Sequence, residues 1–136
     1  MNIAKDWLKA AYDDILLLND IIHNKYITNM VAFHSQQAIE KSLKAYLEYH
    51  SRNIPKTHKI QALIDIVDIG IHVNDTLIQL LDDLYIESRY PGYLGLLPNG
   101  KPSLEYAKEF YDFALMIFNR ICELLNIDKN ELIDKY

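Results

Sequence analysis

The sequence predicts an all-α protein, a bundle of long helices running up and down, and three observations carry that prediction. Apolar residues recur at three- and four-residue steps over long stretches, the signature of amphipathic helices. Strand-like alternation never persists, and β-branched residues fall on helical spacing. All four prolines and all four glycines fall between the periodic stretches or at their ends, not inside them.

The first stretch, with Trp7, Leu8, Ala11, Ile15, Leu18 and Ile22 on one stripe, predicts a helix over residues 3–24. A second helix begins near Ile27 or Thr28 and runs to about His50, where Ser51-Arg52-Asn53-Ile54-Pro55 breaks it. Thr57 is the expected N-cap of a third helix over residues 58–69, ended by Gly70. Asn74 or Asp75 caps a fourth, through Leu77, Leu80, Leu81 and Leu84 to roughly Glu87. From Arg89 to Pro102 the pattern stops; that span holds three of the four prolines and three of the four glycines, and reads as a long loop. Ser103 then caps a last long helix whose stripe includes Tyr106, Phe110, Phe113, Ile117 and Ile121, and the tail after Asp128 adds one short turn. Short links between most of these helices favour antiparallel neighbours in a single domain, residues 1–136.

Bulk properties narrow the function classes. A net charge of −5 argues against a generally basic, nucleic-acid-coating surface, while leaving room for a local basic patch. Cys122 is the only cysteine, so there is no internal disulfide and no thiolate cage, and its apolar surroundings predict a buried, inert thiol. No two histidines have i, i+4 spacing with an accompanying carboxylate, so no metal site is nominated, and no cofactor is implied. Without a signal peptide or a stretch of about 20 apolar residues, the expected location is the cytoplasm. Tyrosine is abundant, at ten residues, and rings such as Tyr46, Tyr85, Tyr106 and Tyr111 are expected in the core or an interface.

The run from Phe33 to Leu47 is the most informative part of the chain. On a helical wheel His34, Lys41, Gln37 and Lys44 share a side with Ala38 and Ala45, while Ile39, Leu43, Tyr46 and Leu47 fall opposite. Gln36 and Glu40 border the apolar face one turn apart. A carboxylate there needs a partner, because an unpaired buried charge is expensive.

Three segments in order resemble the HEPN domain, an all-helical domain found beside nucleotidyltransferases in prokaryotes. They are Trp7 with Asp13-Asp14; His34-Ser35-Gln36-Gln37-Ala38 into Glu40-Lys41-Ser42-Leu43-Lys44-Ala45, followed by Pro55-Lys56-Thr57-His58; and Ser88-Arg89-Tyr90-Pro91. The resemblance implies an antiparallel four-helix core with an additional short helix, a homodimer, and a working link to nucleotides or RNA. Stand-alone members are often encoded beside a minimal nucleotidyltransferase in toxin–antitoxin-like pairs. Many are metal-independent ribonucleases whose motif is an arginine, four to six residues, then a histidine. In that motif the arginine steadies the scissile phosphate and the histidine assists attack by the RNA 2′-hydroxyl. Here no histidine follows Arg89, the last being His72, and the one string with that spacing, Arg52 to His58, precedes the third helix instead of opening the last long one.

Four groups remain as site candidates. Glu40 and Gln36 are expected to anchor Arg89 in a structural ion pair, the alternative being a phosphate-binding Arg89. His34, Lys41 and Lys44 hold a nucleotide phosphate or RNA backbone, or else the lysines are solvated and His34 lines a dimer seam with Ala38 and Ala45. Arg52, Lys56, His58 and Lys59 form a basic cluster that is either a phosphate contact or a solvated loop, with Arg52 and His58 as the catalytic alternative. Tyr90 and Tyr93 either stack on a base or pack the long loop on the bundle. The reading that follows is a nucleotide- or RNA-phosphate-binding HEPN module, non-catalytic or weakly active, partnered by a nucleotidyltransferase. A ribonuclease toxin, in which Arg89 or the Arg52/His58 pair serves catalysis, and a purely structural dimerisation module, with Trp7 structural in each case, are the alternatives.

Overall fold

The computed structural model of the protein describes residues 2–89 and 100–133, with residues 85–89 described by their backbone alone. The described residues form five α-helices, α1 (Ile3–Ile21), α2 (Thr28–Tyr49), α3 (Ile60–Val67), α4 (Asp75–Arg89) and α5 (Leu104–Leu125), followed by a 3-10 turn at Lys129–Leu132. The described residues include no strand. No helix among them is long and apolar enough to cross a membrane. Most of the long loop expected after Arg89, with Tyr90 and Tyr93, lies outside the described residues.

The helix ends follow from local chemistry. The Asn2 side chain accepts from the Lys5 N–H and starts α1, and Ser103 does the same for α5 through the Tyr106 N–H. At Asn24 the side chain accepts from the Tyr26 N–H at 3.0 Å, a local turn that ends α1 before the predicted Asn24. Helix α2 closes with Ser51 in the left-handed region at φ 53°, the Arg52 N–H reaching back to the Leu47 carbonyl. Asn126 closes α5 in the same way, with the Ile127 N–H on the Cys122 carbonyl.

Helix α3 departs from expectation at both ends. Thr57 does not cap it; its hydroxyl accepts from the Lys59 N–H at 3.2 Å, and the helix begins only at Ile60. The cap comes from another helix: Asp82 of α4 accepts the Ile60 N–H at 2.9 Å. At the other end Asp68, at φ 51°, terminates the helix two residues before Gly70.

Helix α2 lies at the centre, packed against α1, α3, α4 and α5. Lys44 lies over Trp7 and Asp14 meets His34 and Lys41, so α1 and α2 are antiparallel. The Tyr12 and Phe118 rings stack at 5.5 Å and Lys5 lies 3.6 Å from Glu131, so α1 is antiparallel to α5 as well. The Thr28 hydroxyl donates to the Pro102 carbonyl at 2.7 Å and fastens the start of α2 to the segment entering α5. Ile39, Leu43 and Leu47 are fully buried, as their stripe predicts. Ala38 and Ala45 are fully buried too, on the side that His34 and Lys41 turn towards α1, so the helix their small side chains admit belongs to the same chain. Cys122 is buried, and desolvation pushes its thiol up to about 11.

These contacts set two expectations for solution behaviour. Asp82→Ala strips the α3 cap and should lower stability by about 1–2 kcal/mol in urea unfolding, while Asp82→Asn, which keeps an acceptor, should lose less. Burial, opposed by the Ile60 and Gln61 N–H groups, raises the Asp82 carboxyl above its ordinary value. Its stabilising contribution is therefore complete below the unfolded pKa and declines as pH rises through the folded one, so the wild type should lose ground to Asp82→Asn over that window. Cys122 should resist alkylation at neutral pH in the native protein and react fully once unfolded, as mass spectrometry would show.

Candidate functional site

On α2 the wheel resolves into a face towards α1, a face towards α3 and α4, and a strip between them. His34 and Lys41 mark the first edge. Gln36 and Glu40 mark the second, and Gln37 and Lys44 lie between. Each edge is built around one buried carboxylate.

The first carboxylate is Asp14 of α1, which is 7% exposed. One oxygen meets His34 Nδ1 at 2.9 Å and the other accepts from Lys41 Nζ at 2.8 Å. Nothing in the sequence reading pairs Asp14 with these groups. The signal is present: Asp14 falls on the buried stripe of α1 with Ala11 and Leu18, an acid on an apolar face. Two charge-assisted contacts answer the cost of placing it there.

The second is Glu40, 6% exposed, which accepts from Lys44 Nζ at 2.6 Å and meets His58 Nδ1 at 2.9 Å on one oxygen. Gln36 Nε2 donates to the other at 3.0 Å and to the His58 carbonyl at 2.7 Å, while Gln37 Nε2 donates to the Gln36 carbonyl oxygen at 2.9 Å. Lys44 is itself 7% exposed, and its ammonium lies 5.8 Å from the centre of the Trp7 ring, a cation–π contact that carries the cluster across to α1. The partner expected for Glu40, Arg89, ends α4, and its side chain lies outside the described residues. Within them Glu40 is engaged by Lys44, His58 and Gln36.

Placement separates the candidates. His34 and Lys41 come together on Asp14, with side chains 19% and 26% exposed, whereas Lys44 is closed in with Glu40 and Trp7. His58 stands at the Glu40 edge, its side chain half exposed. Arg52 is drawn elsewhere: its Nη2 donates to the Ile66 carbonyl near the end of α3. Ile66 lies about 9 Å along the helix axis from Ile60, where His58 approaches α3, so Arg52 and His58 are held at opposite ends of that helix. Among the described residues no group of histidine, cysteine and carboxylate side chains is placed to hold a metal ion. A cavity of about 650 Å³ opens beside the end of α5, but it sets Glu123, Asp128 and Glu131 against Lys129 and is poorly suited to an anion.

Glu40→Ala should cost about 3–5 kcal/mol in chemical unfolding, because it leaves the Lys44 ammonium buried without its anion. Glu40→Leu combined with Lys44→Met should cost less than the sum of the two single changes, which a double-mutant cycle would measure.

Comparison with known proteins accords with this architecture. The crystal structure of TT1696 from Thermus thermophilus superposes with a TM-score of 0.68 at 25% identity, covering 90% of this chain and 98% of that one. No curated protein matches the chain. The model of the HEPN domain matches residues 4–125, which include every α-helix but the first residue of α1. This chain belongs to the HEPN domain family.

Proposed function

We propose that the protein is a phosphate-binding HEPN module that takes a nucleotide or an RNA backbone on the α2 strip. It acts in the cytoplasm as a homodimer beside a separately encoded nucleotidyltransferase, in a toxin–antitoxin-like pair, and carries out no chemistry of its own. The observation that supports this reading is the grouping of Lys41 and His34 at one edge of the strip and His58 at the other, each with part of its side chain open to solvent. The partly open Lys41 ammonium beside the His34 ring suits a phosphate oxygen, and Gln37 supplies amide hydrogen-bonding capacity along the strip. Arg89 and Tyr90 remain candidates to extend the same surface from the end of α4. The separation of Arg52 from His58 speaks against that pair as a ribonuclease centre, since a phosphate-steadying group and a base must reach one scissile bond.

Single-stranded RNA should shift the His34 and Lys41 side-chain resonances. Lys41→Ala should reduce the slope of log affinity against log salt by roughly one unit. Incubation with structured RNA should yield no cleavage; cleavage that disappears in an Arg52→Ala, His58→Ala variant would establish the ribonuclease reading in its place. A small nucleotidyltransferase reading frame adjacent in the genome, whose product co-purifies with this one, would support the pairing.

A further inference from the structure

The link between α1 and α2 presents an aromatic ring to solvent from a backbone that is firmly held. Tyr26 is 70% exposed, more than any other large hydrophobic residue described. Its N–H donates to the Asn24 side chain at 3.0 Å, and its carbonyl accepts from Lys101 Nζ at 2.6 Å. The Thr28 hydroxyl, on the Pro102 carbonyl, fixes the same link two residues on. The Lys25 ammonium lies 5.3 Å from the centre of the Tyr26 ring. A ring displayed from a fixed backbone contributes nothing to the core, but it can take a ligand with little ordering cost.

Charge separates this corner from the middle of the α2 strip. Lys41 and Lys44 each share a carboxylate, Asp14 or Glu40. Among the described residues no carboxylate pairs with Lys25 or Lys101; Asp20 and Glu105, the acids nearest to them in sequence, are exposed and engage neither. An exposed ring with two such ammoniums beside it suits a nucleobase and its adjoining phosphates, the base stacking and the cations meeting the backbone. The corner is also continuous with the strip. Met30 is 40% exposed one turn beyond Tyr26, and Lys41 follows it by eleven residues, three helical turns and about 20°. From Thr28, where α2 begins, to Lys41 is about 20 Å along the axis. A single nucleotide with its phosphate at Lys41 does not span that distance, whereas a strand does, and its bases must be unpaired to stack on a side chain.

Resting on the phosphate-binding reading above, we infer that Tyr26, with Lys25 and Lys101, is a nucleobase-stacking subsite for an unpaired RNA strand whose backbone continues to His34 and Lys41. A mononucleotide fills only the Lys41 end. The test compares uridine monophosphate with an oligouridylate of about eight nucleotides, using fluorescence anisotropy for the oligomer and competition for the monophosphate. Tyr26→Ala should weaken the oligomer about tenfold and leave the monophosphate unchanged, while Tyr26→Phe, which keeps the stacking face, should bind both as the wild type does. Wild-type affinity for the oligomer in Tyr26→Ala would overturn the subsite and leave the phosphate-binding reading standing. So would a monophosphate that binds the wild type as tightly as the oligomer. Loss of self-association in Tyr26→Ala by sedimentation, with RNA affinity unaltered, would assign the ring to a protein contact instead. Failure of the wild type to bind either ligand would overturn both readings.

Discussion

A helix enclosed on several sides cannot keep its polar residues in water, and α2 is such a helix. Its flanks touch α1, α3, α4 and α5, yet it carries Gln36, Glu40 and Lys44 at positions the neighbours cover. Each of those groups has to find a partner inside the protein or be destabilising. The partners come from every direction: Trp7 in α1, Lys44 one turn along α2, and His58 in the segment before α3. Asp14 poses the same problem from the α1 side and is answered by two residues of α2. The packing of α1 and the approach to α3 are therefore tied to two carboxylates as well as to apolar contact. Register between helices is better specified by such pairs than by interchangeable leucines.

The helices are legible in the sequence because their signals are local. Stripe periodicity locates all five, and the caps at Asn74 and Ser103 lie three or fewer residues from the N–H groups they satisfy. Helix α3 reads less well for a physical reason. Its cap is Asp82, twenty-two positions away, and no window around Thr57 contains it. The same distinction runs through the candidate site. The wheel marks Glu40 as needing a partner, but it places Lys44 on a solvated side, and only the Trp7 ring and the neighbouring helix show that side to be covered. In sequence His58 is half of a spacing match with Arg52, whereas three-dimensional packing sends Arg52 to a carbonyl at the far end of α3. Asp14 enters only as part of a family resemblance and without a role, although an acid on a buried stripe is itself a signal.

Pairing also changes what a basic residue can offer. Counting lysines on one side of a helix overstates its attraction for phosphate when each ammonium already shares a hydrogen bond with a carboxylate. Of the two lysines singled out, Lys41 remains partly open and Lys44 is enclosed.

The long-range cap on α3 has a consequence for motion. An eight-residue helix is too short to persist alone in water, so α3 exists by virtue of what holds its ends and its apolar face. Asp82 holds the first N–H and Arg52 holds a late carbonyl, while the chain just before Ile60 is fastened to α2 through His58. Local opening of α3 must release all three attachments together. The segment bearing His58 should accordingly exchange its amides as one cooperative unit with the middle of α4, and not fray as an independent loop.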